Sequence, residues 1–129
     1  MGKTDKERAA SGRRLARACV KAALEKKAMD VMVLDMRGIS SITDYFFICS
    51  GSSYRQAKTI AINIREEVER SGQRCYHSEG WPDSQWIVLD FGDVIAHVFC
   101  EESRRHYNLE RLWGDAKIVD SGEQSGERM

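Results

Sequence analysis

At 129 residues, with 42% hydrophobic and 31% charged positions and a single proline, the chain has the size and composition of one domain with one core. No apolar run approaches the roughly 18 residues of a membrane span, and the charged N-terminus lacks the about 7 consecutive apolar residues of a signal-peptide core, so a soluble cytoplasmic protein is expected. The net charge of zero hides a division: residues 1–27 hold nine Lys/Arg against three Asp/Glu (+6), residues 28–129 eleven against seventeen (−6), and such an acidic body suits a basic protein surface better than bare phosphate backbone.

Residues 1–10 are polar, charged and aperiodic, which predicts a flexible tail. Over 11–27, Leu15, Ala18, Cys19, Ala22 and Lys26 follow the i, i+3, i+4 rhythm of a helix, and Val20 and Leu24 widen its apolar stripe. Two apolar runs, 31–35 and 44–49, read as strands separated by a loop around Arg37-Gly38 and Ser40-Ser41. Ser50-Gly51-Ser52-Ser53 then opens a helix whose one face is Ala57, Ile60, Ala61, Ile64 and Val68, with Gly72 as its stop. Arg74-Cys75-Tyr76-His77 resumes an extended pattern, so 44–77 predicts a βαβ unit with two parallel strands. Beyond Gly80 and Pro82, residues 85–91 and 94–100 flank a Gly92-Asp93 turn and predict a β-hairpin. Period two puts Trp86, Val88 and Asp90 on one face of its first strand and Ile87, Leu89 and Phe91 on the other. Residues 101–112 are helical in composition, and polarity returns from about Asp120. The expected organisation is a tail over 1–10, one domain over 11–119 and a tail over 120–129.

Chemistry-bearing residues are sparse. Cys19, Cys49, Cys75 and Cys100 form no CxxC pair, and Cys49 and Cys100 lie inside apolar strand patterns, so all four read as structural thiols. The Gly51 loop between a strand and a helix could cradle a phosphate, but it matches neither GxGxxG nor GxxxxGK[ST] and reads better as a capped helix start. Asp90 and Asp93 are the only close acidic pair on the hairpin, and a spacing of three across a turn does not put two metal-binding acids on one face. Asp90-Phe91-Gly92 imitates a kinase motif in a chain too short for that fold. His77, His97 and His106 lack metal-ligand spacing. His97 lies in an apolar strand, where burial demands a partner for its ring; Asp90 across the hairpin is one candidate. Trp86, Tyr107 and Trp113 join apolar area to a polar tip, which suits a core or an interface, and Tyr107 stands in the strongly polar stretch 101–108.

Asp44-Tyr45-Phe46, Ser50-Gly51-Ser52-Ser53 with Arg55-Gln56, Glu79-Gly80, Trp86-Ile87-Val88-Leu89-Asp90, Gly92-Asp93, His97-Val98-Phe99, Arg104 and Tyr107-Asn108-Leu109-Glu110-Arg111-Leu112-Trp113 together resemble the ribosomal silencing factor (Iojap-like) family in order and spacing, over about 11–119. Trp81-Pro82 and Ala96 depart from the usual pattern of that family. The resemblance implies a mixed sheet related to a catalytically empty nucleotidyltransferase fold, homodimerisation, and binding to the large ribosomal subunit through its ribosomal protein numbered fourteen. Small-subunit joining would then be blocked sterically and translation damped, above all in starved or stationary cells.

The expected fold is therefore an α/β single domain, a mixed sheet of about five strands flanked by helices. The expected partner surface has Trp86 and Tyr107 as anchors with Asp90, Glu101 and Arg104 around them. No catalytic set, metal or cofactor is expected. The rival readings are a nucleotide-binding protein or nucleotidyltransferase using the Gly51 loop with Asp90 and Asp93, and a scaffold dimer with no ribosomal role.

Overall fold

A computed structural model describes residues 4–107 and 117–120. Helix α1 spans Asp5–Glu25. It begins before the expected residue 11, because Thr4 and Glu7 form a capping box: Thr4 Oγ1 accepts from the Glu7 N–H at 3.0 Å and Glu7 Oε1 from the Thr4 N–H at 2.9 Å. Two N–H groups that a helix start otherwise leaves unsatisfied are thereby bonded, so residues 5–10 are helix and not tail.

Strand β1, Met29–Asp35, runs antiparallel to β2, Tyr45–Gly51. Every residue of β2 is buried, which is what its unbroken apolar run requires of a central strand. Helix α2, Tyr54–Arg70, buries Ala57, Ile60, Ala61, Ile64 and Val68, the face its spacing marked. Gly51 sets how closely α2 follows the sheet, since a Cβ there would stand 2.6 Å from the Ala57 backbone nitrogen. Short β3, His77–Glu79, precedes the hairpin of β4, Trp86–Asp90, and β5, Val94–Cys100. Helix α3, Glu101–Tyr107, and β6, Lys117–Asp120, complete the described elements.

The sheet has six strands in the order β3-β4-β5-β2-β1-β6, one more than the expected five because β6 adds to the free edge of β1. It is mixed: β2 and β5 are parallel from Tyr45↔Val94 to Gly51↔Cys100, and the other pairs are antiparallel. The expected βαβ unit with β2 beside β3 is corrected, since β4 and β5 lie between them. Burial explains this: β5 is buried at six of its seven positions and can occupy the centre, whereas three-residue β3 exposes His77 and Glu79 and suits an edge.

Helices α1 and α2 cover one face, where Leu15, Cys19, Ala22, Ile60, Ile64 and Val68 meet Val33, Phe47, Leu89 and Val98. Each fully buried aliphatic side chain there contributes about 1.5–3 kcal/mol. A second cluster of Leu34, Met36, Phe46, Ile48 and Phe99, with Trp86, Met32 and Ile95 partly buried against it, occupies the opposite face.

Candidate partner-binding face

The hairpin builds the second face. Phe91 N–H bonds Val94 O at 3.0 Å, and Asp90 Oδ1 accepts the Gly92 N–H at 2.8 Å while Gly92 takes φ +90°, a left-handed value that glycine adopts without strain. The register that follows pairs Trp86 with Phe99, Val88 with His97 and Asp90 with Ile95. Trp86 stacks on Phe99 with ring centroids 5.1 Å apart, and its Nε1–H donates to His97 Nδ1 at 3.0 Å. The imidazole in turn meets Phe46 edge-on at 4.6 Å. Trp86, Val88, Asp90 and Ile95 each keep part of their surface in water.

Asp90 is not the partner of His97. The tight turn makes residue pairs sum to a constant, so Phe91 opposite Val94 places His97 opposite Val88. Because Nδ1 accepts, the neutral ring carries its proton on Nε2. Burial pushes the His97 pKa down from 6.5 to about 4. The folded state then binds fewer protons than the unfolded one between those values, so stability is complete above pH 6.5 and falls as pH drops toward 4. The loss is expected to reach about 3 kcal/mol. Urea unfolding at pH 7 and pH 4.5 checks it: His97→Gln, whose amide oxygen can still accept from Trp86, should flatten the difference, and an unchanged slope would assign the acid sensitivity elsewhere.

Arg104 occupies a different place from the one expected. Its side chain is buried at 7% exposure, and its Nη1 donates to the Asp30 carbonyl and to Ser50 Oγ, the latter at 3.1 Å. Asp30 has φ +50° within the irregularity of β1 between Met29 and Met32. Arg104, expected beside the two anchors, therefore ties α3 across β2 to this bulge with its side chain buried. Glu101 is half-buried in the first turn of α3, where a carboxylate complements the helix dipole. Tyr107 ends α3, and its side chain lies outside the described residues.

The features of the rival reading are distributed elsewhere. At the start of α2, Ser53 Oγ accepts the Gln56 N–H at 3.1 Å, and Gln56 Oε1 accepts from both the N–H and the hydroxyl of Ser52 at 2.6 Å. Gln56 Nε2 donates onward to the carbonyls of Lys26 and Lys27. The Gly51 loop is thus a capped helix start bound to the end of α1. Asp90 lies on the Trp86 face, whereas Asp93 Cβ stands 3.7 Å from a Cβ built at Gly12 of α1, on the other face. Two acids on opposite faces of a sheet cannot share a metal ion.

The described residues define a small α/β domain with a half-exposed Trp86 face, no cluster of acids that could hold a metal among them, and an internally capped α2. The family model described as "Ribosomal silencing factor during starvation" matches residues 9–128. Ribosomal silencing factor RsfS of Bacillus subtilis is 44% identical over 74% of this chain and 81% of its own length. The protein of the same name from Halalkalibacterium halodurans is 41% identical over 85% and 94%. Chloroplastic Iojap of Zea mays is 36% identical over 78% of this chain and 43% of that longer protein. Among solved structures, a Bacillus halodurans protein superposes with TM-score 0.75 at 37% identity, covering 84% of this chain and 98% of that one. A Chromobacterium violaceum protein superposes with TM-score 0.77 at 28% identity over 79% and 85%. This chain belongs to the ribosomal silencing factor family, whose members are translation regulators.

Proposed function

We propose that the chain represses translation by binding the large ribosomal subunit through its ribosomal protein numbered fourteen, where it sterically blocks joining of the small subunit, above all in starvation or stationary phase. The observation that carries the reading is Trp86, a half-exposed indole held in one orientation by His97 and Phe99 and bordered by Asp90. A rigid aromatic with a wet edge is the kind of residue that dominates interface energetics, because little entropy is lost on docking. Glu101 and the acidic body would steer a basic ribosomal protein, Tyr107 would supply the second anchor, and Arg104 would hold α3 in place beneath them.

The names of the relatives support a ribosomal role. The functional unit runs to about residue 119, pairs as a homodimer when free and acts in the cytoplasm without a metal or cofactor. No described helix is long and apolar enough to cross a membrane. Sedimentation of the purified chain with isolated large subunits, small subunits and joined ribosomes tests the proposal. Preferential recovery with free large subunits is expected; equal recovery with both subunits, or with neither, would overturn it.

A further inference from the structure

On the side of the sheet away from Trp86, a half-open pocket of about 410 Å³ lies between α1 and the β1–β6 edge. Its polar wall is Arg13, Arg17, Asp35 and Arg37, with Tyr45 behind them. Asp35 is already committed: Arg37 Nε reaches its Oδ1 at 2.9 Å and Nη2 its Oδ2 at 2.7 Å, and this pairing holds the carboxyl below the usual carboxylate range. Arg13 acts on Asp35 only through space and donates its Nε to Tyr45 Oη at 3.3 Å, and neither Arg13 nor Arg17 forms a salt bridge among the described residues. Among the described residues that line the pocket, one carboxylate faces three guanidiniums.

Tyr45 is fully buried under α1 at Gly12, where a Cβ would come within 2.9 Å of its ring, and its hydroxyl fixes the Arg13 guanidinium at the pocket wall by accepting from Nε. The Arg37 guanidinium lies over that ring, 5.6 Å from its centroid. The remaining wall is apolar: Val33 with Ile118 and Val119, and the two β6 side chains stand 56% and 39% exposed. Guanidiniums match phosphate oxygens in geometry and charge, the flat face of a guanidinium accepts a planar group, and a site of this volume falls in the range of small-molecule pockets.

The geometry points to a binding site for a small phosphorylated molecule with a planar organic body, its phosphates on Arg13 and Arg17 and its body against Arg37 and Ile118. The site is independent of the Trp86 face, so its test needs no ribosome. The full chain is titrated with ADP, inorganic phosphate and a 12-nucleotide single-stranded RNA, by calorimetry and by amide NMR. Saturable one-to-one binding of ADP is expected, at least tenfold tighter than inorganic phosphate, with shifts around residues 13–17 and 35–37. The Arg13→Gln/Arg17→Gln double variant should weaken it at least tenfold, while Ser53→Ala at the α2 cap should leave it unchanged. Absence of ADP binding at millimolar concentration, equal binding of phosphate, shifts confined to 52–56, or retention by the double variant would overturn the assignment. Tighter binding of the RNA through the same arginines would replace the small molecule with a nucleic-acid backbone and overturn it as well.

Discussion

Trp86→Ala is expected to leave the domain folded and to weaken binding to large subunits by at least roughly thirtyfold, equivalent to about 2 kcal/mol or more. The indole contributes twice: it offers apolar area at the surface, and it is pinned by the 3.0 Å bond to His97 and the stack on Phe99, so its docking geometry exists before the partner arrives. Because Trp86 is only half-buried, truncation should lower the melting temperature by several degrees and not abolish folding. Trp86→Phe separates the parts, keeping the ring stack while losing the N–H donor. Tyr107→Ala should weaken binding in the same direction. Added salt should slow association more than it speeds dissociation, because acidic neighbours act by steering. If Trp86→Ala and Tyr107→Ala both melt cooperatively and bind large subunits as tightly as the parent, this face does not contact the ribosome.

Arg104→Met is expected to destabilise the domain by about 2–3 kcal/mol, since the Asp30 carbonyl and Ser50 hydroxyl would each lose a charged donor in a buried setting. Urea denaturation measures the loss, and a change below about 0.5 kcal/mol would show that the bulge does not depend on this residue. The same variant discriminates between roles on the ribosome. Weakened binding that returns when α3 is restabilised from elsewhere identifies Arg104 as a positioning residue; weakened binding at unchanged stability would identify a direct contact.

Much of the architecture was legible in local sequence. The apolar spacing from Ala57 to Val68 marks α2 and its buried face, the unbroken apolar run of β2 requires a strand covered on both sides, and the alternation along Trp86–Asp90 assigns each side chain to a face. The capping box at Thr4 and Glu7 was equally local, although the polarity of residues 1–10 masked it. The motifs of the family were likewise legible along the chain. Strand order was not, because β5 beside β2 joins segments far apart in sequence, and no short-range pattern records which buried strand takes the centre.

The candidate site divides along the same line. Hairpin register, and hence the distance between Asp90 and His97, follows from the Gly92-Asp93 turn and was available to counting; that the His97 ring would accept from Trp86 required side-chain geometry. Arg104 is the clearest case of tertiary structure deciding a role. Its neighbours Glu102 and Arg105 make the segment read as solvated surface, yet a carbonyl turned inward by the left-handed Asp30 and the hydroxyl of Ser50 provide acceptors that make burying the guanidinium favourable. The three-arginine pocket arises in the same way, from α1 lying across the β1–β6 edge. Sequence determines what a residue can bond to and which face of its own element it occupies; whether it meets water or a partner is decided only when distant elements pack, because desolvation depends on everything nearby in space.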